Sequence, residues 1–144
     1  MKPILLDTHS LIWLLSGQPL SAVALRAIFS AQAGRSLHLS PITAWEAGVA
    51  SLKKNQKKRP DLLGLSPDAW MRHGLNTLSA KLATISQRVA IETSNVPAIY
   101  GSADPGDCFL IATARVRNLT LITRDEKILA LALRNPSYLK VIAC

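Results

Sequence analysis

Acidic side chains are scarce in this chain, nine Asp and Glu against seventeen Lys and Arg, and their placement is uneven. Two of them, Asp104 and Asp107, open the stretch "ADPGDCFLIATAR" (103–115), which otherwise reads as an apolar helix. At helical spacing Asp107 falls on the stripe of Leu110, Ile111 and Ala114. Glu46 shares a face with Ile42, Val49 and Ala50, residues expected to point inward. Asp7 follows directly on the apolar run "ILL", and Asp125 follows closely on "TLIT". An ionised carboxylate buried without a partner is very costly. Two acids on apolar stripes and two at strand ends therefore ask for a shared cation. Oxygen-only ligands suit magnesium or manganese rather than zinc. No two of the three histidines stand at metal-ligand spacing, and there is no C-x-x-C. Such a cluster could hold one or two ions and clamp a phosphodiester between them. A small acidic pocket in a chain of net charge +8 would accept a polyanion through metal.

The elements that must position these acids alternate along the chain. "PILLD" predicts a buried parallel strand, and "SLIWLLSG" a helix closed by Gly17. A helix over "LSAVALRAIFSAQAGR" stops at Gly34, and "SLHLSP" reads as a second strand broken by Pro41. Helices follow over "ITAWEAGVASLKK" and "LSPDAWMRHGLNTL", the latter with Ser66 as N-cap and Pro67 at its first position. "AKLATIS" is a third strand, "QRVAIETSNVP" a short helix and "DPGDCFLIATARVRN" a longer one. "LTLIT" is a fourth strand, "DEKILALALRN" the last helix, and "LKVIA" a candidate fifth strand. Alternation of this kind implies a three-layer α/β/α fold around a central parallel sheet of four to five strands. Ligands of such sheets bind beyond the carboxyl ends of the strands, where Asp7 and Asp125 stand.

Length fits one domain, residues 1–144, with a sizeable core. Apolar residues make up 49% of the chain, which excludes a disordered class. No apolar run approaches the ~20 residues that span a bilayer, so no membrane role is expected. The N-terminal run is broken by Asp7 and His9 and is no convincing signal peptide, and Cys108 and Cys144 make no disulfide framework. A reduced, cytoplasmic setting is the default. The basic balance suggests a nucleic-acid partner.

Four segments in this order, "LLDTHSLIWLL", "SPITAWEAGVASLKK", "DPGDCFLIATA" and "LITRDEKI", resemble the PIN domains of VapC-type toxins from bacterial toxin–antitoxin pairs. The resemblance covers essentially the whole chain. It implies a PIN-like fold and a magnesium- or manganese-dependent ribonuclease, held inactive by a cognate VapB-like antitoxin, with a homodimer favoured. The family's acidic residues carry over onto Asp7, Glu46, Asp107 and Asp125, as metal ligands and catalytic residues. Two positions depart from this branch: Cys108 stands where arginine is common, and Ala50 where lysine is common.

Simpler roles compete at several positions. Asp104, with Pro105 after it and Asp107 three residues on, is an N-cap. Asp125 can cap the last helix, whereas Asp7 has little explanation besides chemistry. Thr8 and Thr123 are as readily turn-forming residues as water or phosphate ligands. His9 belongs to a helix turn, His38 to the far face of its strand, and His73 to a helix surface. Trp13, Trp45 and Trp70 read as core or interface rather than stacking platforms, and with aromatic residues only 5% of the chain base stacking is not the expected source of RNA affinity. The run "KKNQKKR" (53–59) suits either a helix C-terminus or a nucleic-acid backbone. Rival functions are a catalytically inactive RNA-binding module and a DNA nuclease. A dehalogenase-like or receiver-type phosphoryl-transfer protein is disfavoured, because His9 occupies the position of the second aspartate and receiver-type adjacent acids are missing.

Overall fold

The computed structural model describes residues 2–144. Five parallel strands form one sheet: β1 (Ile4–Leu6), β2 (Leu37–Leu39), β3 (Lys81–Leu82), β4 (Thr120–Thr123) and β5 (Val141–Ala143). Their order is β3-β2-β1-β4-β5. Leu5 pairs with His38 on one side and Leu121 on the other, so β1 is central. Successive crossovers run outward from β1 in one direction through β2 and β3, and in the other through β4 and β5. The direction reverses between β1 and β4, the switch point at which open α/β sheets form a crevice.

Seven helices cover the sheet: α1 (Thr8–Ser16), α2 (Ala22–Ala33), α3 (Pro41–Ser51), α4 (Pro67–Thr77), α5 (Gln87–Tyr100), α6 (Pro105–Arg117) and α7 (Glu126–Arg134). Leu5 and Leu121 face a core shared with α5, α6 and α7. Ile4, Leu6 and Ile122 face a second core with α1 to α4, which encloses Trp70 completely. The central strands β1 and β4 are buried along their whole length because helices cover both faces there. The expected α/β/α layering and parallel sheet are present, with all five strands formed.

Local boundaries differ from expectation in three places. Pro41 does not simply break β2. It starts α3, where Ser40 caps the Ile42 N–H and a proline lacks only a donor that no helix start needs. Pro97 does not end α5, which continues to Tyr100 and closes on Gly101 at φ +81°. Burial of Val89, Val96 and Tyr100 against the α6 layer outweighs the cost of an interior proline, about 3 kcal/mol. The third strand shrinks to Lys81–Leu82, both exposed at the sheet edge.

Candidate active site

Asp7 stands where β1 ends. Its N–H donates to the Ile122 carbonyl of β4 (3.1 Å), so it sits at the switch point. Its Oδ1 accepts the Ser10 N–H (2.8 Å) and caps α1. The sequence offered no such role for Asp7. The structure gives it one, on a single oxygen. Asp125 follows β4 through a turn in which Thr123 Oγ1 accepts its N–H (3.0 Å). Its Oδ1 then caps α7, accepting from Lys127 (2.9 Å) and Ile128 (3.0 Å). Asp104 caps α6 by accepting the Asp107 N–H (3.1 Å), and Pro105 fixes the first turn. Asp107 therefore projects from a helix start set by its own neighbours, while Leu110, Ile111 and Ala114 on its stripe are buried.

Glu46 comes from the middle of α3. Thr8 Oγ1 donates to its Oε1 (2.6 Å), and Thr8 also meets Thr43 Oγ1 (3.1 Å). Opposite, Gly106 is buried against the Glu46 carboxylate, and a Cβ there would collide with it. Of the residues expected to point inward with Glu46, Ile42 is buried but Val49 is 51% exposed. The face opens onto a groove lined by residues of α1 and α3, Val49 and Ala50 among them.

Electrostatics link the acids. Burial pushes the Asp107 carboxyl up from 3.8 to about 6. The Tyr100 hydroxyl, donating to Oδ2 (2.8 Å), opposes this rise, and the charges of Asp104, Asp125 and Asp7 add to it. Burial raises Glu46 as well. Thr8 and His9 hold it down, and Asp107 and Asp104 push it up.

Each of Asp7, Glu46, Asp107 and Asp125 thus has one oxygen engaged by a donor. Among the described residues the second oxygen of each has none. That donor set, oxygen-only and mutually repulsive, fits a magnesium-type cation. Among the described residues no three His, Cys, Asp or Glu side chains converge closely enough to hold a metal ion as they stand.

The histidines do not join this set as a pair. His9 is exposed with its ring 5.6 Å from Trp13, His38 Nδ1 meets the Ser36 carbonyl, and His73 is on the surface of α4. Cys108 is buried, its Sγ near the Ser102 carbonyl (3.4 Å), and Ala50 lines the groove. Tyr100 and Gly106 were missed from the sequence. Tyr100 lay past the expected end of α5, and the need for glycine at 106 arises from a side chain sixty residues away.

No helix among the described residues is long and apolar enough to cross a membrane. The family model for the PIN domain matches residues 4–133. Ribonuclease VapC38 of Mycobacterium tuberculosis (strain ATCC 25618 / H37Rv) is 26% identical over 132 residues, 92% of each chain. A toxin–antitoxin complex from Klebsiella pneumoniae contains a chain 27% identical, with a TM-score of 0.62 over 96% of this chain and 95% of that one. VapBC2 from Rickettsia felis, bound to a DNA fragment from its promoter, matches with a TM-score of 0.67 over 98% of both chains at 12% identity, a likeness of fold alone. The strand-end acids, the order of the sheet and these matches lead to one assignment: the chain belongs to the PIN-domain family.

Proposed function

We propose that this protein is a metal-dependent endoribonuclease and the toxin of a VapBC-type toxin–antitoxin pair. One observation carries the reading. Asp7, Glu46, Asp107 and Asp125 come from four different elements, each keeps an oxygen that no donor occupies, and charge couples Asp107 to Asp7, Asp125 and Glu46. The likeness to Ribonuclease VapC38 supports RNA as substrate, and the likeness to toxin–antitoxin complexes supports a VapB-like antitoxin.

Asp7, Glu46, Asp107 and Asp125 would hold the magnesium or manganese. Held there, such an ion would supply a water of lowered pKa as nucleophile and offset charge on the leaving group. Thr8 keeps Glu46 on the α3 wall, and Tyr100 keeps one oxygen of Asp107 turned away so that the other faces the site. In-line attack by water leaves a 5′-phosphate and a 3′-hydroxyl and does not use the RNA 2′-hydroxyl. The antitoxin silences the site by placing an Arg or Lys among the carboxylates. Large apolar side chains left exposed, such as Leu52, Phe29 and Leu133, offer surface for it and for a homodimer.

Purified protein with magnesium should cut RNA and leave DNA intact, and EDTA should stop it. Asp7→Asn should abolish cleavage while keeping the fold, because asparagine also caps a helix well. Cyclic-phosphate ends, or an active Asp7→Asn protein, would overturn the mechanism.

A further inference from the structure

The five strands begin along one edge of the sheet, and a basic residue stands at or just before the start of each. In spatial order these are Lys81, the first residue of β3, Arg35 two residues ahead of β2, Lys2 two ahead of β1, Arg117 three ahead of β4 and Lys140 directly ahead of β5. Backbone hydrogen bonds hold the strand starts level. The Ile4 N–H donates to the Ser36 carbonyl, that of Thr120 to Pro3 and that of Leu121 to Lys140, each at 2.9 Å. With neighbouring strands about 4.8 Å apart, the row is about 19 Å wide. All five residues are exposed, and among the described residues none of them pairs with an acid. Arg117 donates to the Thr84 carbonyl (3.1 Å) and hydroxyl (2.8 Å), contacts that hold the guanidinium and leave its charge in place.

The acids gather at the opposite edge. Asp7 and Asp125 follow strand ends, and Asp104, Asp107 and Glu46 are coupled to them by charge. Asp61 shares a groove with Glu46, and Asp68 and Glu126 open helices that start on that side. Glu92 is the one acid toward the basic edge among the described residues, and Arg115 pairs with it (3.0 Å). The fold does not ask for the basic row. Helix dipoles favour a base where α2 and α6 end, which accounts for Arg35 and Arg117, but Lys2, Lys81 and Lys140 lie outside every helix. Like charges on adjoining strands repel one another. A row of unpaired cations with no acid facing it is the electrostatic footprint of a phosphate backbone.

We propose that the amino-terminal edge of the sheet is a second RNA surface: Lys2, Arg35, Lys81, Arg117 and Lys140 hold backbone phosphates of a folded RNA at nucleotides remote from the cut. A pocket of about 150 Å³ notches the row between the end of α6 and the lead into β5, with Arg115, Asn118, Ser137 and Lys140 in its lining, and gives one phosphate a concave seat. From Lys2 to Asp7 the extended chain covers about 17 Å, and the helices of both layers flank that path. Nucleotides beside the cleaved bond do not reach the row, whereas distant parts of a folded RNA do. The choice of RNA over other polyanions rests on the ribonuclease reading above, and the surface itself on the placement of charge. Phosphate contacts carry no sequence information, so the edge favours large, folded substrates over short strands whatever their sequence.

The test separates binding from cleavage. Wild-type protein in EDTA is titrated into a blunt, fluorescein-labelled RNA duplex and read by fluorescence anisotropy over a range of salt. The triple variant Arg35→Glu, Lys81→Glu, Lys140→Glu should bind at least about tenfold more weakly at low salt, and its slope of log K against log salt should be shallower by about 2–3. Each single substitution should remove about one from that slope, which decides the matter even where the triple variant does not fold. Spreading the same charge change over α2, the α3–α4 connection and α7, as Arg26→Glu, Lys54→Glu, Lys127→Glu, should cost much less. Circular dichroism checks the fold of every variant. In magnesium the edge variant should cut a short single strand at the wild-type rate, and a long folded RNA at least about tenfold more slowly at limiting substrate. Unchanged duplex affinity in the edge variants, or an equal loss in the control variant, overturns the surface. Tighter binding of duplex DNA of the same sequence assigns the edge to DNA and overturns the choice of RNA. Protein that holds the RNA duplex by this edge and cuts no RNA refutes the ribonuclease reading and supports the surface.

Discussion

Asp107→Asn should make the metal-free protein more stable. In the native state the Asp107 carboxyl is pushed up from 3.8 to about 6, by burial first and by Asp104, Asp125 and Asp7 next. A raised carboxyl binds its proton more tightly when folded, so the native state holds more protons than the unfolded one across this range. Stability from this group therefore falls as pH rises from about 4 through about 6. At 1.36 kcal/mol per pH unit, the full rise would cost about 3 kcal/mol at pH 7.5. Asp107 is partly open to solvent, and screening reduces this to about 1–2 kcal/mol. Asparagine removes the charge and still accepts the Tyr100 hydroxyl, so the variant should melt roughly 3–8 °C higher in EDTA at pH 7.5. Near pH 5 the gain should fall to about half, because the wild-type carboxyl is then mostly protonated when folded. Millimolar magnesium should raise the wild-type melting temperature at pH 7.5 and leave the variant little changed. Differential scanning calorimetry at both pH values, with EDTA and with magnesium, measures every part of this. A variant that melts lower than wild type in EDTA at pH 7.5, or a gain that does not shrink at pH 5, would refute the reasoning.

Gly106→Ala should favour the α6 helix intrinsically by up to about 1 kcal/mol, yet displace the Glu46 carboxylate. Cleavage should fall at least about tenfold with the fold retained, as read by a cleavage assay beside a thermal melt. Tyr100→Phe removes one hydrogen bond to Asp107, worth about 1.5–3 kcal/mol for a charged acceptor, and should weaken manganese binding in calorimetric titration by about tenfold or more. Charge reversal of Lys53 and Lys58, which line the groove, should weaken binding to every RNA alike and flatten its dependence on salt.

Much of this architecture was legible because it rests on local patterns. The apolar triplet at 4–6 and the run at 120–123, Leu121 and Ile122 between two threonines, are buried throughout, and a parallel strand covered on both faces needs little else. Asp104, Pro105 and Asp107 specify one helix start from three side chains within four positions, and the cap forms as expected. Legibility failed where a distant partner decides. Pro97 reads as a stop, but the α6 layer holds its helix together from outside. Val49 reads as inward, but whether its face meets another helix or a groove depends on where α1 lies. The capping role of Asp7 was hidden because an acid after a strand and an acid before a helix are the same residue when the connection is this short.

That short connection explains how the site tolerates its own charge. Asp7, Asp104 and Asp125 each accept backbone N–H groups at the start of a helix, where the positive end of the helix dipole favours a carboxylate. Capping uses one oxygen and fixes the side chain, so the remaining oxygen is aimed by secondary structure. Asp107 and Glu46 are placed differently. Each is met by a single hydroxyl, from Tyr100 and Thr8, and burial raises both. The acidic set thus divides into carboxylates anchored by helix starts and carboxyls held in reserve by hydroxyls. In the proposed metal site Asp107 and Glu46 would gain most from a cation, since their burial is not compensated by backbone donors. Three loops that each end in a capping aspartate, brought together by the reversal of strand order between β1 and β4, place this charge with no element devoted to the site alone.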